Sequence, residues 1–232
     1  MTKIILWDWD NTLANTFAVI LRAQNAMRKH YGLGEWTAEE AKEAMNLSGK
    51  NIIKNLVGEE KSAEARVFYL EKYKEYAVNL ELKEGAVALL DYARKAGYVN
   101  ILASNKTKSI LAEEVKKFGI LDKFDRIVGA GEAEEDKPSK KFTDKAVEGL
   151  EPIDVLVSIG DGLSDIKMAR NCDGVSILVF TDPNSPEFKK ENIKPDYCAE
   201  SLSACQKILA SLSSNGRQIP NERIQDYKDH TR

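Results

Sequence analysis

Residues 4–12 read IILWDWDNT, so an apolar run is followed at once by two carboxylates, Asp8 and Asp10. A continuous apolar run of this length is typical of a strand that is buried on both faces, as in parallel sheets. Two carboxylates just past a buried strand are costly unless a cation is held near them. The stretch therefore predicts a buried strand that leads directly into a candidate cation site.

Four later apolar runs resemble the first, and helix-like stretches separate most of the five. The predicted strands cover residues 4–7, 98–103, 127–128, 155–159 and 176–180. The predicted helices cover residues 85–95, 107–118, 140–150 and 164–171. Because strands that alternate with helices build right-handed βαβ units, we predict a layered α/β fold whose parallel sheet is covered by helices on both faces.

One long span, residues 14–83, breaks the alternation and has helical patterning throughout. Thr37 and Glu40 fit a capping box at the start of a helix. An apolar stripe at helical spacing comprises Val67, Leu70, Tyr73 and Ala77. Connections in α/β units are usually a few residues long, so this span is predicted to be an inserted helical subdomain. It follows the first strand at the carboxyl edge of the sheet, where ligands bind in such folds and where an insertion can serve as a lid.

Polar motifs follow three of the other predicted strands. Ser104 and Asn105 follow the second, where a hydroxyl and an amide at a helix start suit an anion, although a plain helix cap explains them equally well. Lys137 opens the helix after the third strand, and a surface lysine is the alternative. Asp161 and Asp165 follow the fourth strand in the segment GDGLSD. Carboxylates that converge on one point make a hard-cation site of the Mg²⁺ kind.

Taken together, D-x-D-x-T, then Ser, then Lys, then G-D-x-x-x-D resemble in type and order the four motifs of the haloacid dehalogenase-like superfamily. The resemblance covers the chain from residue 2 to about residue 212. It implies a Rossmann-like core of residues 1–13 and 84–212. Residues 14–83 would be a helical cap similar to that of phosphoglycolate phosphatase-like and β-phosphoglucomutase-like members. Residues 213–232 are polar and are predicted to be a C-terminal tail.

The resemblance implies a Mg²⁺-dependent phosphatase that hydrolyses a small phosphomonoester through an aspartyl-phosphate. Asp8 would be the nucleophile, and Asp10 would be the general acid and then the general base. Asp8, Asp161 and the backbone carbonyl of Asp10 would hold Mg²⁺, with Asp165 close to the ion. The metal would offset the repulsion between an anionic carboxylate and an anionic phosphate.

The resemblance also implies residues that hold the substrate. Ser104 and Lys137 would bind the phosphoryl oxygens, and Lys137 would also offset the negative charge of Asp8 and of the phosphate. Asn105 would position Ser104 or touch the phosphate. Lys50 lies in a small-residue turn between cap helices and is a weaker candidate for substrate selection, with a solvated lysine as the alternative. Many family members have Gly where this chain has Asn11, and Asn tolerates a left-handed backbone better than most residues.

Two other functions remain open on the sequence. A phosphomutase would use the same covalent intermediate but return the phosphoryl group to a sugar. A non-catalytic phosphate-binding module would keep the fold, although such a module would be expected to lose Asp8 or Asp10. The presence of Asp10 argues against dehalogenation, which needs no acid at this place and whose enzymes usually lack one. It also argues against phosphonate cleavage, whose enzymes lack the second aspartate.

Composition limits the partners and the compartment. Lys and Arg number 34 and Asp and Glu number 37, a net charge of −3, so nothing draws the whole chain to nucleic acid or to an anionic membrane. Three cysteines without a C-x-x-C pair favour a reducing compartment. The start is too short and acidic for a signal peptide, and no apolar run approaches the ~20 residues of a membrane helix. We therefore expect a soluble, cytoplasmic protein, with a monomer as the default. The resemblance implies a small-molecule phosphate ester as its partner.

Overall fold

Six strands form one parallel sheet in the part of the chain that the structure describes. The structure is a computed structural model that describes residues 2–45 and 49–215, without the side chains of residues 49, 50 and 213–215. The strands are β1 (Thr2–Trp7), β2 (Tyr98–Thr107), β3 (Arg126–Ala130), β4 (Ile153–Gly160), β5 (Val175–Val179) and β6 (Tyr197–Ala199). Their order is β3-β2-β1-β4-β5-β6, with parallel pairing throughout. This is the strand order of Rossmann-type sheets, so the predicted fold class is confirmed.

Ten α-helices accompany these strands in the described residues. They are α1 (Phe17–His30), α2 (Ala38–Ala44), α3 (Gly49–Val57), α4 (Glu59–Tyr76), α5 (Ala86–Lys95), α6 (Lys108–Lys117), α7 (Lys140–Val147), α8 (Leu163–Arg170), α9 (Pro186–Lys190) and α10 (Leu202–Asn215). All five predicted strands and all four predicted core helices are present, with shifted ends. The sequence analysis did not predict β6, α9 or α10, and β6 is too short, at three residues, to show a hydrophobic period.

The apolar residues of β1 explain why helices cover both faces of the sheet. Successive strand side chains point to opposite faces, and all four residues from Ile4 to Trp7 are fully buried. Ile5 and Trp7 pack with residues of α5, α6 and α10. Ile4 and Leu6 pack with residues of α7 and α8 on the other face. The predicted coverage of both faces is therefore confirmed.

Helices α1–α4, which we call the helical insertion, are joined to the sheet by two adjacent segments. The Asn15 N–H donates to the Glu81 carbonyl at 2.9 Å, and the Lys83 N–H donates to the Leu13 carbonyl at 2.9 Å. Residues 14 and 82 form an antiparallel bridge between these two hydrogen bonds. Residues 13–15 and 81–83 therefore run side by side as a narrow neck, which enters and leaves the insertion at one place.

One prediction within the insertion is confirmed and another is wrong in part. The Thr37 hydroxyl accepts from the Glu40 N–H at 3.2 Å, and the Glu40 carboxylate accepts from the Thr37 N–H at 2.8 Å, which is the predicted capping box. Val67 was placed on the apolar stripe of α4, but it is 58 % exposed. The buried positions of α4 are Ala65, which packs with α1 and α3, and Tyr73, which packs with α1 and α6.

The C-terminal boundary differs slightly from the prediction. The tail was expected from residue 213, but α10 continues to Asn215. Residues 216–232 lie outside the described residues. Among residues 2–45 and 49–215, the structure contains no helix of the length and apolarity that a bilayer crossing requires.

Candidate functional site

Three predicted acidic side chains meet at the carboxyl edge of the sheet. β1 and β4 are neighbours with Trp7 opposite Ile159, so the loops after both strands begin at the same level. The Asp8 N–H donates to the Ile159 carbonyl at 2.9 Å, which continues the pairing past the strand. Asp8, Asp161 and Asp165 each offer a carboxylate oxygen, and these oxygens lie within 4.8 Å of one another. This acidic cluster joins residues more than 150 positions apart in the chain.

Lys137 is buried against the acidic cluster and is not a surface lysine. Its Nζ donates to Asp8 Oδ1 and to Asp165 Oδ1, at 2.7 Å each, and to the Ala103 carbonyl at 2.9 Å. An ammonium has three hydrogens, so all of its donors are used. Contrary to the expectation that Lys137 opens a helix, α7 begins at Lys140 with Ser139 as its N-cap.

One ammonium does not neutralise three clustered carboxylates, and burial adds to the cost of their charge. Burial, reinforced by Asp165 and Asp10 and opposed by Lys137, raises the pKa of Asp8 to about 7. Partial burial and then repulsion from Asp8 and Asp165 raise the pKa of Asp161 well above its ordinary value. Burial would lower the pKa of Lys137, but Asp165 and Asp8 outweigh it and the net shift is upward. Oxygen donors with uncompensated charge fit a hard divalent cation such as Mg²⁺.

Asp165 reaches the cluster because Gly160 leaves room for it. Asp165 lies in the first turn of α8, and its Oδ2 accepts from the Gly162 N–H at 3.3 Å. A Cβ added at Gly160 would lie 2.1 Å from both Cγ and Oδ2 of Asp165. Asp165 cannot move away freely, because Lys137 holds its other oxygen. Residue 160 must therefore be glycine for steric reasons.

Gly160→Ala is expected to displace Asp165 and to disturb the acidic cluster. Overpacking of this kind costs about 1–3 kcal/mol of unfolding free energy, so the melting temperature falls. If the acidic cluster holds Mg²⁺, displacing Asp165 should weaken its binding by about 10–100-fold, and calorimetric titration with Mg²⁺ measures this. Gly34→Ala is the control, because nothing lies within 4 Å of a Cβ at that position. Unchanged Mg²⁺ affinity in Gly160→Ala would contradict this assignment.

Ser104 and Asn105 lie at the end of β2 and not at a helix start, which corrects the prediction. Thr107 is the N-cap of α6. The Ser104 hydroxyl accepts from the Lys106 N–H at 3.1 Å, so its own hydrogen remains available. The Asn105 amide donates to the Lys137 carbonyl at 3.2 Å and accepts from the Lys137 N–H at 3.0 Å. Asn105 thus holds the backbone of Lys137, a contact that the sequence did not indicate.

The Asp10 carboxylate does not belong to the acidic cluster. Its Oδ1 lies 2.7 Å from Lys106 Nζ. Asn11, between Asp10 and Thr12, has a φ of 60°, the left-handed backbone that the sequence analysis expected it to tolerate. The Thr12 hydroxyl donates to Asp8 Oδ2 at 3.1 Å, so Thr12 and Lys137 hold the two oxygens of Asp8.

Sequence reasoning missed two residues beside this site, Lys106 and Glu114. Lys106 directly follows Ser104 and Asn105, but its type alone gave no reason to select it. Glu114 could have been selected from the sequence, because it shares the buried face of α6 with Leu111 and Val115. A carboxylate on an apolar helix face is unusual unless it is paired. The side chain of Lys50 lies outside the described residues, and its backbone is in the first turn of α3.

A cavity of about 640 Å³ opens over the acidic cluster. The core lines it with the residues described above, including Asp8, Ser104 and Lys137. The helical insertion closes the other side with residues such as Gln24 and Arg66. This volume is in the range of small-molecule sites, so the acidic cluster faces a space of suitable size for a small organic ligand.

Comparisons with known proteins identify the family of this chain. The model of the haloacid dehalogenase-like hydrolase family matches residues 5–179, and the chain belongs to this family. It is 26 % identical over 188 residues to a phosphoglycolate phosphatase of Chromobacterium violaceum, covering 76 % of this chain and 84 % of that protein. It is 23 % identical over 199 residues to the pyrophosphatase PpaX of Halalkalibacterium halodurans, covering 85 % and 92 %.

Solved structures share the fold. CbbY from Rhodobacter sphaeroides, crystallised in complex with phosphate, superposes with a TM-score of 0.71 at 23 % identity, covering 88 % of this chain and 96 % of that one. A hydrolase from Pseudomonas syringae superposes with a TM-score of 0.78 at 17 % identity, covering 92 % of this chain and 100 % of that one. At these identities the likeness concerns the fold alone.

Proposed function

We propose that this hydrolase is a Mg²⁺-dependent phosphatase that acts on a small phosphomonoester through an aspartyl-phosphate on Asp8. The observation that carries the proposal is the acidic cluster of Asp8, Asp161 and Asp165, which lines the cavity together with Lys137, the partner of Asp8 and Asp165. Relatives that match most of the chain are named phosphoglycolate phosphatase and pyrophosphatase, which supports transfer of a phosphoryl group to water.

Asp8 and Asp10 have separate roles in the proposed reaction. An oxygen of Asp8 bonds to phosphorus while the bond to the leaving oxygen breaks, and Asp10 gives its proton to that oxygen. Asp10 then takes a proton from water, which attacks phosphorus and releases phosphate from Asp8. Bound Mg²⁺ would supply positive charge that lowers the repulsion between carboxylate and phosphate. Asp8, Asp161 and Asp165 would hold the ion, and the Asp10 carbonyl remains a proposed ligand.

Ser104, Asn105 and Lys137 would prepare the site for the phosphoryl group. Ser104 keeps a hydroxyl hydrogen that can donate to a phosphoryl oxygen. Lys137 has no spare hydrogen, so it acts first by holding Asp8, and a phosphoryl oxygen would have to replace one of its present acceptors. Asn105 would act through Lys137. The helical insertion would serve as the cap of residues 14–83, which excludes water and selects the substrate.

A phosphate-release screen with Mg²⁺ tests the proposed function. The panel contains sugar phosphates, nucleotides, pyrophosphate and phosphoglycolate, and Asp8→Asn serves as the blank. We expect Mg²⁺-dependent release from at least one phosphomonoester by the wild-type protein. A mutase would instead require a bisphosphate activator and release little phosphate. Absence of release over the whole panel would favour the non-catalytic module.

Binding of Mg²⁺ is expected to strengthen as the pH rises. The pKa of Asp8 is raised from 3.8 to about 7, so the folded protein without metal binds more protons than the unfolded chain between these values. Its stability therefore falls as the pH rises through this window. Mg²⁺ must displace the proton, so it raises the melting temperature more at about pH 8 than at about pH 5.5. A shift of equal size at both pH values would contradict the assignment, and Asp8→Asn should lose much of the difference.

A further inference from the structure

Lys106 occupies an unusual position between the catalytic loop and the helical insertion. Its Nζ lies 2.7 Å from Asp10 Oδ1, 2.8 Å from Glu114 Oε2 and 2.8 Å from the Tyr73 hydroxyl. The side chain is only 7 % exposed. The ammonium donates hydrogen bonds to Glu114 and to Tyr73 and makes an ion pair with Asp10, so three oxygens fix its position.

Glu114 anchors Lys106 from the core side. Besides Lys106, the buried carboxylate accepts from Trp9 Nε1 at 2.5 Å and from the Tyr73 hydroxyl at 2.6 Å. A buried carboxylate with several donors is fixed in position, because leaving any donor unpaired costs free energy. Trp9 precedes Asp10 in the chain, so Glu114 fixes both the ammonium that faces Asp10 and the residue before it.

This arrangement determines which oxygen of Asp10 faces the cavity. Oδ1 is buried, and its contact with Lys106 is an ion pair rather than a well-aligned hydrogen bond. The Asp10 side chain is nevertheless 18 % exposed and lines the cavity. With Oδ1 against Lys106, Oδ2 is the oxygen that remains for exchange of a proton with substrate or water.

We propose that Lys106, anchored by Glu114, is a positioning residue that turns Oδ2 of Asp10 toward the leaving oxygen. The inference rests on the proposed function, in which Asp10 is the general acid. Lys106 contacts neither the acidic cluster nor, in this role, the phosphoryl group. Its loss therefore weakens proton donation to the leaving group and leaves the attack by Asp8 largely intact.

How strongly the rate of a Lys106 variant depends on the leaving group distinguishes a positioning role from a purely structural one. Phenyl phosphate releases a basic phenolate and needs a proton, whereas p-nitrophenyl phosphate releases a much weaker base and hardly needs one. We measure kcat/KM, which reports the steps up to the first irreversible one, for both substrates. Since general acid catalysis contributes about 10²–10⁴-fold, Lys106→Met should lose about 100-fold or more with phenyl phosphate and less than about 5-fold with p-nitrophenyl phosphate.

A second variant separates the loss of positioning from a loss of folding. Lys106→Met leaves the Glu114 carboxylate buried without a cation, which can unfold the protein. The double variant Lys106→Met, Glu114→Gln removes both charges and keeps an acceptor for Trp9. It should show the same selective loss. Lys108→Met is the matched control, because this exposed lysine two residues further on pairs with Glu132 and does not line the cavity.

The outcomes separate this inference from the function on which it rests. A selective loss with phenyl phosphate in a folded variant supports positioning by Lys106. An equal loss with both substrates, or no loss, overturns it while the phosphatase activity of the wild type stands. If the wild type releases phosphate neither from these two substrates nor from any member of the panel in the presence of Mg²⁺, the proposed function fails and the inference fails with it.

Discussion

Asp8→Asn is expected to reduce kcat by about 10⁴-fold or more, as the loss of a nucleophile does in enzymes with a covalent intermediate. An amide has the shape of a carboxylate but is a poor nucleophile toward phosphorus. Folding should not suffer, because burial and neighbouring acids already raise the pKa of Asp8 to about 7 and so disfavour its charged form. At about pH 8 without metal, removing this charge should leave the melting temperature unchanged or higher.

The measurement pairs phosphate release with thermal unfolding on the same preparation. Asp122→Asn is the matched control, since it makes the same chemical change at an aspartate whose side chain is 73 % exposed. It should leave both readouts unaltered. Substantial turnover by a folded Asp8→Asn protein would exclude Asp8 as the nucleophile. A large drop in melting temperature would mean that the acidic cluster stabilises the fold, contrary to the charge argument.

Lys137→Met is expected to have the largest effect on stability. The substitution removes the buried cation that contacts Asp8 and Asp165, both at 2.7 Å. Leaving buried carboxylates without their partner costs about 3–5 kcal/mol, so we expect a loss of this size at about pH 8 without metal. Catalysis should be lost as well, because Asp8 is no longer held.

The pH and Mg²⁺ dependence of this variant identify the cause of the loss. Lower pH protonates the carboxylates, and Mg²⁺ neutralises them, so either treatment should restore part of the stability. Denaturant unfolding at two pH values, with and without Mg²⁺, measures both effects. Lys140→Met, which removes a lysine 63 % exposed at the start of α7, is the control and should behave like the wild type. If Lys137→Met were as stable as this control, Lys137 would not be compensating buried charge.

The convergence of Asp8 and Asp161 could be predicted from the sequence because parallel strands end at one edge of a sheet. Each acid follows a recognisable apolar run, so the residue order already implied a shared edge. The position of Lys137 could not be obtained in this way. It lies in a connection before α7, and its burial depends on contacts with Asp8 and Asp165 that no local pattern encodes.

The contacts of Lys106 are a second feature of the site that could not be predicted from the sequence. Trp9 is fully buried, but its hydrogen bond to Glu114 joins residues 105 positions apart. Tyr73 was placed on an apolar stripe for its ring, whereas its hydroxyl makes the contact that matters here. Patterns of hydrophobicity identify which residues are buried. Which polar atoms then meet depends on how separate elements pack.

Because the chain enters and leaves the helical insertion through the neck at residues 13–15 and 81–83, a different insertion could take its place without changing the sheet. The two segments of the neck are hydrogen-bonded to each other, so the positions at which the chain leaves and rejoins the sheet do not depend on the length of the insertion. Evolution can therefore exchange this segment for another without moving Asp8. A replacement would have to satisfy two residues of α6. It would have to cover Ile110, which packs here against Tyr73, and it would have to offer Glu114 a hydrogen-bond donor in place of the Tyr73 hydroxyl.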